Sequence, residues 1–102
     1  MTAYNVVRFK VKPGQEQAFI NSNREEMQAF DGFQGGALIK TGDRTYCFVG
    51  TWDKFDSIVA ARPKMVTMLD KTRGMLEDLG NGLGVTDPVS GSSVVDFPAT
   101  KH

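Results

Sequence analysis

Six side chains have types and positions that could do chemistry: Asn5, Asn23, Tyr46, Trp52, Arg62 and Arg73. Asn5 shares a strand face with Val7, Phe9 and Val11, and a buried amide on such a face needs partners; a solvated strand end is the other reading. Asn23 interrupts a helical stripe of Phe19, Met27 and Phe30, so it faces either a ligand or water. Tyr46 is either a donor or general acid, or an aromatic of the sheet. Trp52 either walls a pocket or packs in the core. Arg62 precedes Pro63 and sets a cation either at a pocket mouth or on the surface of a helix break. Phe48, Met65 and Met68 are apolar companions, either lining an adaptable cavity or filling the core. Groups of these kinds suit holding an apolar molecule and steadying charge on it.

Other chemistries are harder to build. The one histidine, His102, ends the chain, and one terminal histidine cannot support a buried nucleophile–base triad. The one cysteine, Cys47, lies in an apolar run. It allows no intrachain disulfide and no cysteine-based zinc cluster, which fits a reducing cytoplasm. Asp and Glu fall on helix surfaces and turns and form no paired-carboxylate site.

Lys and Arg number 12, as do Asp and Glu, so the formal net charge is zero. A neutral chain without a basic run has no electrostatic footprint for nucleic acid or an anionic membrane. No apolar stretch approaches the roughly 18 residues of a membrane helix, and "MTAYNVVRFK" lacks a signal-peptide pattern. Length predicts one domain over residues 1–102, with 98–102 as a mobile tail.

The elements follow from periodicity. Residues 4–11 alternate and read as a strand, stopped by Pro13 and Gly14. From Gln15 the spacing becomes three and four, which predicts an amphipathic helix closed by "DGFQGG". Residues 37–41 and 45–52 read as a hairpin around "TGDR". In its second strand Tyr46, Phe48, Gly50 and Trp52 point one way, and Cys47, Val49 and Thr51 the other. Both faces are largely apolar, so the sheet is expected to be covered on both sides, one by helices and one by a second subunit. Asp53 is expected to cap a second helical region, broken at Pro63, with apolar positions continuing through Leu79. Residues 93–97 are expected to form the last strand.

"LEDLGNGLGVTDPVSGSS", residues 76–93, carries four glycines. A dinucleotide loop needs its glycines after a strand and before a helix. Here they follow a helix and precede a strand, so they read as a connector, long enough to reach a partner subunit. The order β-α-β-β-α-β is that of an α+β, ferredoxin-like fold. A pocket is expected between the sheet and the helices.

"RFKVKPGQEQAF" followed by "FDGFQGGALIKTGDRTYCFVGTWDKFDSI" resembles the antibiotic biosynthesis monooxygenase family. The shared features are a strand ending in "PG", a helix, a "GF.G" stretch, and a strand ending in Trp before a helix. The resemblance spans about residues 6–97. It implies a dimeric α+β barrel, in which two sheets pack face to face. It also implies oxygenation of a small quinol- or anthrone-like substrate without metal or flavin, hence no cofactor. The strand-end Trp of the family corresponds to Trp52. Where anthrone oxygenases of the family carry an Asn and a Tyr, this chain has Phe48 and Ile58; their Arg lies one residue from Arg73. Haem-degrading relatives need a histidine where Lys71 stands. Trp52, Arg73 and Asn5 are therefore the expected catalytic groups. Asn23, Tyr46, Phe48, Arg62, Met65 and Met68 are expected to bind substrate. The alternative is a non-catalytic module of the same fold that binds a small molecule or serves as a structural dimer.

Overall fold

The structure is a computed structural model that describes residues 2–25 and 30–99. Met27 and His102, and most of the expected tail, lie outside the described residues. The elements are β1 (Ala3–Lys10), α1 (Glu16–Glu25), β2 (Phe33–Gly42), β3 (Thr45–Trp52), α2 (Phe55–Thr72) and β4 (Asp87–Ser92), with a 3-10 turn at Arg73–Met75 after α2. The four strands form one antiparallel sheet in the order β2-β3-β1-β4. This is the ferredoxin-like arrangement that the element order predicts.

Strand β1 lies inside the sheet, paired with β3 from Ala3↔Trp52 to Lys10↔Thr45. Its alternation turns Ala3, Asn5, Val7 and Phe9 toward the helices, opposite Trp52, Gly50, Phe48 and Tyr46. Burial on that face separates into two clusters. Ala3, Trp52, Ile58 and Ala61 pack with Phe30, Phe33, Phe55 and Met65 at one end. Val11, Phe19, Tyr46 and Leu76 pack with Phe9, Leu69 and Met75 at the other. Helix α1 buries one residue among its described positions, Phe19. The Phe19 ring sits 5.4 Å from that of Phe9 and 5.6 Å from that of Tyr46. Anchored there, α1 does not fill the space over the middle of the sheet.

Several elements differ from the sequence reading. Strand β2 begins at Phe33, four residues before the expected start, because Gly35 (φ 127°) absorbs a register shift against β3 instead of making a loop. Helix α2 runs unbroken through Pro63. Pro63 withholds one donor from the carbonyl of Val59, and both residues are exposed, so water can satisfy that carbonyl. Lys54 rather than Asp53 is its N-cap. The Asp53 carboxylate instead accepts from the Ser57 hydroxyl at 2.6 Å, and this bond holds its pKa below the ordinary carboxylate value. The helix does not continue to Leu79. Leu76 turns extended and bridges Val11, while Lys12 N–H donates to the Met75 carbonyl at 2.8 Å and Glu77 N–H to the Lys10 carbonyl at 2.8 Å. Burying Leu76 against Val11 wins over another helical turn.

The last strand is Asp87–Ser92, not residues 93–97. It pairs with β1 from Arg8↔Asp87 to Ala3↔Ser92, and Ser93 N–H then donates to the Thr2 carbonyl at 2.7 Å. The β1–β4 ladder itself ends at Ala3↔Ser92. Val94, Val95 and Phe97 stay exposed despite their β-forming character. The connector is correspondingly shorter, and its glycines 80, 82 and 84 all take positive φ. Among the described residues, no helix is long and apolar enough to cross a membrane.

Candidate functional site

Between the two clusters lies a cavity of about 520 Å³. This falls within the roughly 300–1,000 Å³ of small-molecule sites. Its floor is the sheet: Asn5, Val7 and Phe9 from β1, and Phe48 and Trp52 from β3. Asn23 closes it from α1, and Arg62, Met65 and Met68 from α2. The edge strand adds Pro88 and Ser90. Most of the surface is aromatic and aliphatic, with a few polar groups set into it.

The polar groups are fixed by their partners. Trp52 Nε1 donates to Asn5 Oδ1 at 2.7 Å, and both residues are buried. Indole is a donor only, so the amide must present its oxygen to Trp52. The Asn5 Nδ2 then points away from Trp52. It has no protein partner among the described residues, and no buried side-chain nitrogen or oxygen among them is left unsatisfied. Nδ2 is therefore an accessible donor on the cavity floor. Asn23 Nδ2 donates to the Phe19 carbonyl at 2.8 Å, which leaves its Oδ1 as an acceptor. The Arg62 guanidinium donates through Nη2 to Ser90 Oγ at 3.4 Å and lies 5.7 Å from the Phe55 ring centre.

Gly50 makes the Asn5–Trp52 bond sterically feasible. It stands opposite Asn5 in the β1–β3 register, between Phe48 and Trp52 on the helix-facing side. A β-carbon there would collide with Asn5 Oδ1 and stand 3.1 Å from Trp52 Nε1. Sequence reading passed over it, although an isolated glycine inside a strand marks close approach of neighbouring groups. Ser90 was also missed, because "SG" reads as a turn and its strand was placed too late.

Seven of the nine residues expected at the site line this cavity: Asn5, Asn23, Phe48, Trp52, Arg62, Met65 and Met68. Tyr46 and Arg73 do not. Tyr46 belongs to the other end of β3, in the Phe19 cluster, and its hydroxyl donates to Glu16 Oε1 at 3.2 Å. Burial, and then Glu16, raises its pKa above the ordinary phenol value, so it stays protonated near neutrality. Burial alone would raise the Glu16 pKa, but hydrogen bonds from Lys40 and Tyr46 and the charge of Lys40 outweigh it and hold it low. Arg73 falls in the 3-10 turn beyond α2 and pairs with Asp70 at 3.0 Å on the surface. Among the described residues that line the cavity there is no carboxylate, histidine, lysine or tyrosine. Among the described residues generally, no group of three or more His, Cys, Asp or Glu could hold a metal ion.

No protein-family model matches the chain, and no curated protein matches it. Solved structures do match its fold. A candidate antibiotic biosynthesis monooxygenase from Chloroflexus aurantiacus superposes with a TM-score of 0.71 at 14% identity, covering 96% of this chain and 98% of that one. SnoaB, a cofactor-independent oxygenase from Streptomyces nogalater, gives 0.67 at 16% identity, with 96% and 98% covered. Rv0793 from Mycobacterium tuberculosis gives 0.75 at 10% identity, with 96% and 100% covered. At these identities the likeness is one of fold.

Proposed function

We propose, from a fold this chain shares with antibiotic biosynthesis monooxygenase structures, that it is a cofactor-independent monooxygenase acting on a small aromatic quinol- or anthrone-like substrate. The observation that carries this reading is the Asn5–Trp52 pair, which turns an amide N–H into an apolar cavity of about 520 Å³. Trp52, Phe48, Met65 and Met68 hold the flat body of the substrate. Asn5 supplies a donor to an oxygen whose charge grows in the reaction. Arg62 is the cation that line of argument needs; Arg73, which does not line the cavity, drops out of it.

The reaction balances without a cofactor. An anthrone-type carbon loses a proton to solvent, and the resulting anion passes an electron to dioxygen. The radical pair combines into a carbon–oxygen bond, and protonation gives a hydroperoxide. Loss of water leaves a carbonyl where the methylene stood. One oxygen atom stays in the product and the other leaves as water. The apolar walls exclude bulk water from the anion, and the fixed donor stabilises it.

The test is oxygen uptake by metal-free protein with a panel of quinols and anthrones, beside folded Trp52→Phe and Asn5→Leu variants. Uptake that both variants lose by tenfold or more, as about expected for a donor at a developing oxyanion, supports the reading. A second reading, a binding module of the same fold, draws on the lack of a proton-accepting side chain among the described cavity residues. Binding without uptake would favour it.

The same reading takes the chain as a homodimer. The sheet face turned away from the helices carries Tyr4, Ile39 and Val89, all exposed, beside Val6 and Val49. An apolar sheet face of this kind needs a cover, and a second copy supplies a complementary one.

A further inference from the structure

We infer that the cavity selects an aromatic ligand bearing one oxyanion, a phenolate, enolate or carboxylate, which it binds at a corner formed by Arg62, Ser90 and Asn5. This rests on the reading of the cavity as the ligand site, and does not depend on oxygen chemistry taking place there.

The corner is assembled by the register of the sheet. Ser90 stands directly opposite Asn5 across β1 and β4. Such cross-strand neighbours carry their β-carbons about 4.5–5.5 Å apart on one face. Here that face is the cavity floor, since both residues line it. Above them Arg62 reaches from α2 to Ser90 Oγ at 3.4 Å. Three donors of different kinds therefore converge: an amide N–H, a hydroxyl and a guanidinium.

Each donor has capacity left for a ligand. Asn5 is 5% exposed, and its Nδ2 has no protein partner among the described residues. Ser90 Oγ accepts from Arg62, which leaves its own hydrogen to give. Arg62 forms no ion pair with a carboxylate among the described residues, and its one hydrogen bond among them is the long one to Ser90. The Arg62 guanidinium also lies over the Phe55 ring, 5.7 Å from its centre, which holds the charged group beside α2. A guanidinium at an apolar cavity, facing two neutral donors and no carboxylate, is matched by an oxyanion. A neutral ligand of the same shape would leave that positive charge to water alone, because Arg62 is exposed.

The geometry also sets the shape of the ligand. The rest of the lining is mostly aromatic and aliphatic, with the neutral Ser22, Asn23, Thr72 and Thr86 among it and Arg62 its one charged side chain among the described residues, so a flat largely apolar body fills it and only one end carries charge. A dianion would bury its second charge without a second cation to answer it.

The experiment is titration calorimetry with two probes of equal shape, 2-naphthoate and 2-naphthamide, at neutral pH. Wild type, Arg62→Gln and Ser90→Ala are compared after circular dichroism confirms their fold. The wild type is expected to favour the naphthoate by about tenfold, as charge-assisted bonds imply. Arg62→Gln weakens the naphthoate far more than the naphthamide and so removes the preference, because the charge that distinguishes the two probes is lost. Ser90→Ala reduces the preference in part. Equal affinity in the wild type, a preference that survives Arg62→Gln, or failure of both probes to bind overturns the proposal. Oxygen uptake is scored separately. A preserved preference without uptake leaves this inference standing and removes the oxygenase reading; uptake without a preference does the reverse.

Discussion

Asn5 and Trp52 stand on neighbouring strands and meet over a position that has no side chain. The 2.7 Å bond from Trp52 Nε1 to Asn5 Oδ1 runs diagonally past Gly50, the direct partner of Asn5 across the ladder. Three residues on two strands thus fix one amide hydrogen on the cavity floor.

Gly50→Ala tests the vacancy. The added methyl would meet Asn5 Oδ1 and stand 3.0 Å from the Phe48 ring. Overpacking of this kind costs about 1–3 kcal/mol. Urea unfolding should show that loss, and ligand affinity should fall with it. A variant as stable as wild type would show that the strands yield more readily than the geometry implies.

Asn5→Leu tests the other half of the pair. It removes the acceptor and leaves a buried indole N–H without a partner, at a cost of about 1–3 kcal/mol. Trp52 is the single tryptophan, so its emission reports the change without interference from another indole. An unchanged emission maximum and unchanged stability would mean that the bond contributes nothing.

Pro63→Ala should stabilise the protein. Proline inside a helix costs up to about 3 kcal/mol relative to alanine, and α2 runs through Pro63 without interruption. Restoring the donor to the Val59 carbonyl should raise Tm. A lower Tm would show that the proline ring contributes packing that offsets the missing bond.

Acid unfolding should depend on Glu16. Its folded pKa lies below the ordinary 4.5. A depressed carboxyl contributes stability above its unfolded value, and loses it as pH falls through the folded one. Lys40 has the opposite sign: the Glu16 bond raises its pKa above the ordinary 10.5, so its contribution is complete below that value and is lost as pH climbs through the raised one. Glu16→Gln should therefore flatten the stability profile at both ends. Urea midpoints measured from acid to alkaline pH give the comparison; an unchanged profile would show that water screens the pair completely.

Val49→Asp tests the second copy. Val49 sits on the sheet face away from the helices, opposite Val6 and Ala37. Sedimentation should show wild type as a dimer, with an interface at or above roughly 1,600 Å², and Val49→Asp as a monomer. A monomeric wild type at tens of micromolar would refute the arrangement.

The sequence was most readable where burial alone decides. Strand β3 falls at Thr45–Trp52, the range its alternation predicts, because nearly every position on it is apolar or small. The cavity residues of β1 and α2 were legible for the same reason. Strand β4 was not, because Asp87-Pro88 and Ser90-Gly91 have the chemistry of turns. Pro88 is tolerated there since an edge strand needs donors on one side only. The apolar run at 94–97 looks more like a strand, yet the β1–β4 ladder ends at Ala3↔Ser92, before the run begins. Pairing length is a property of the partner strand, and no local pattern carries it. Tyr46 and Arg73 were misplaced for a related reason. Strand alternation gives the face of Tyr46 but not its end of the sheet, and Arg73 depends on where α2 stops.

The helix-facing interior is divided, with the Trp52 cluster at one end, the Phe19 cluster at the other and open space between them. A molecule lodged there would serve as the missing middle of the core. At a hundredfold excess over its Kd it would add about 2.7 kcal/mol to folding, a large share of what a chain of this size has to spare. The empty protein is then the perishable one, more often open to proteases. Its abundance in the cell would rise and fall with the supply of its own ligand, so a plain measurement of turnover, with and without candidate compounds, reads occupancy before any reaction is known.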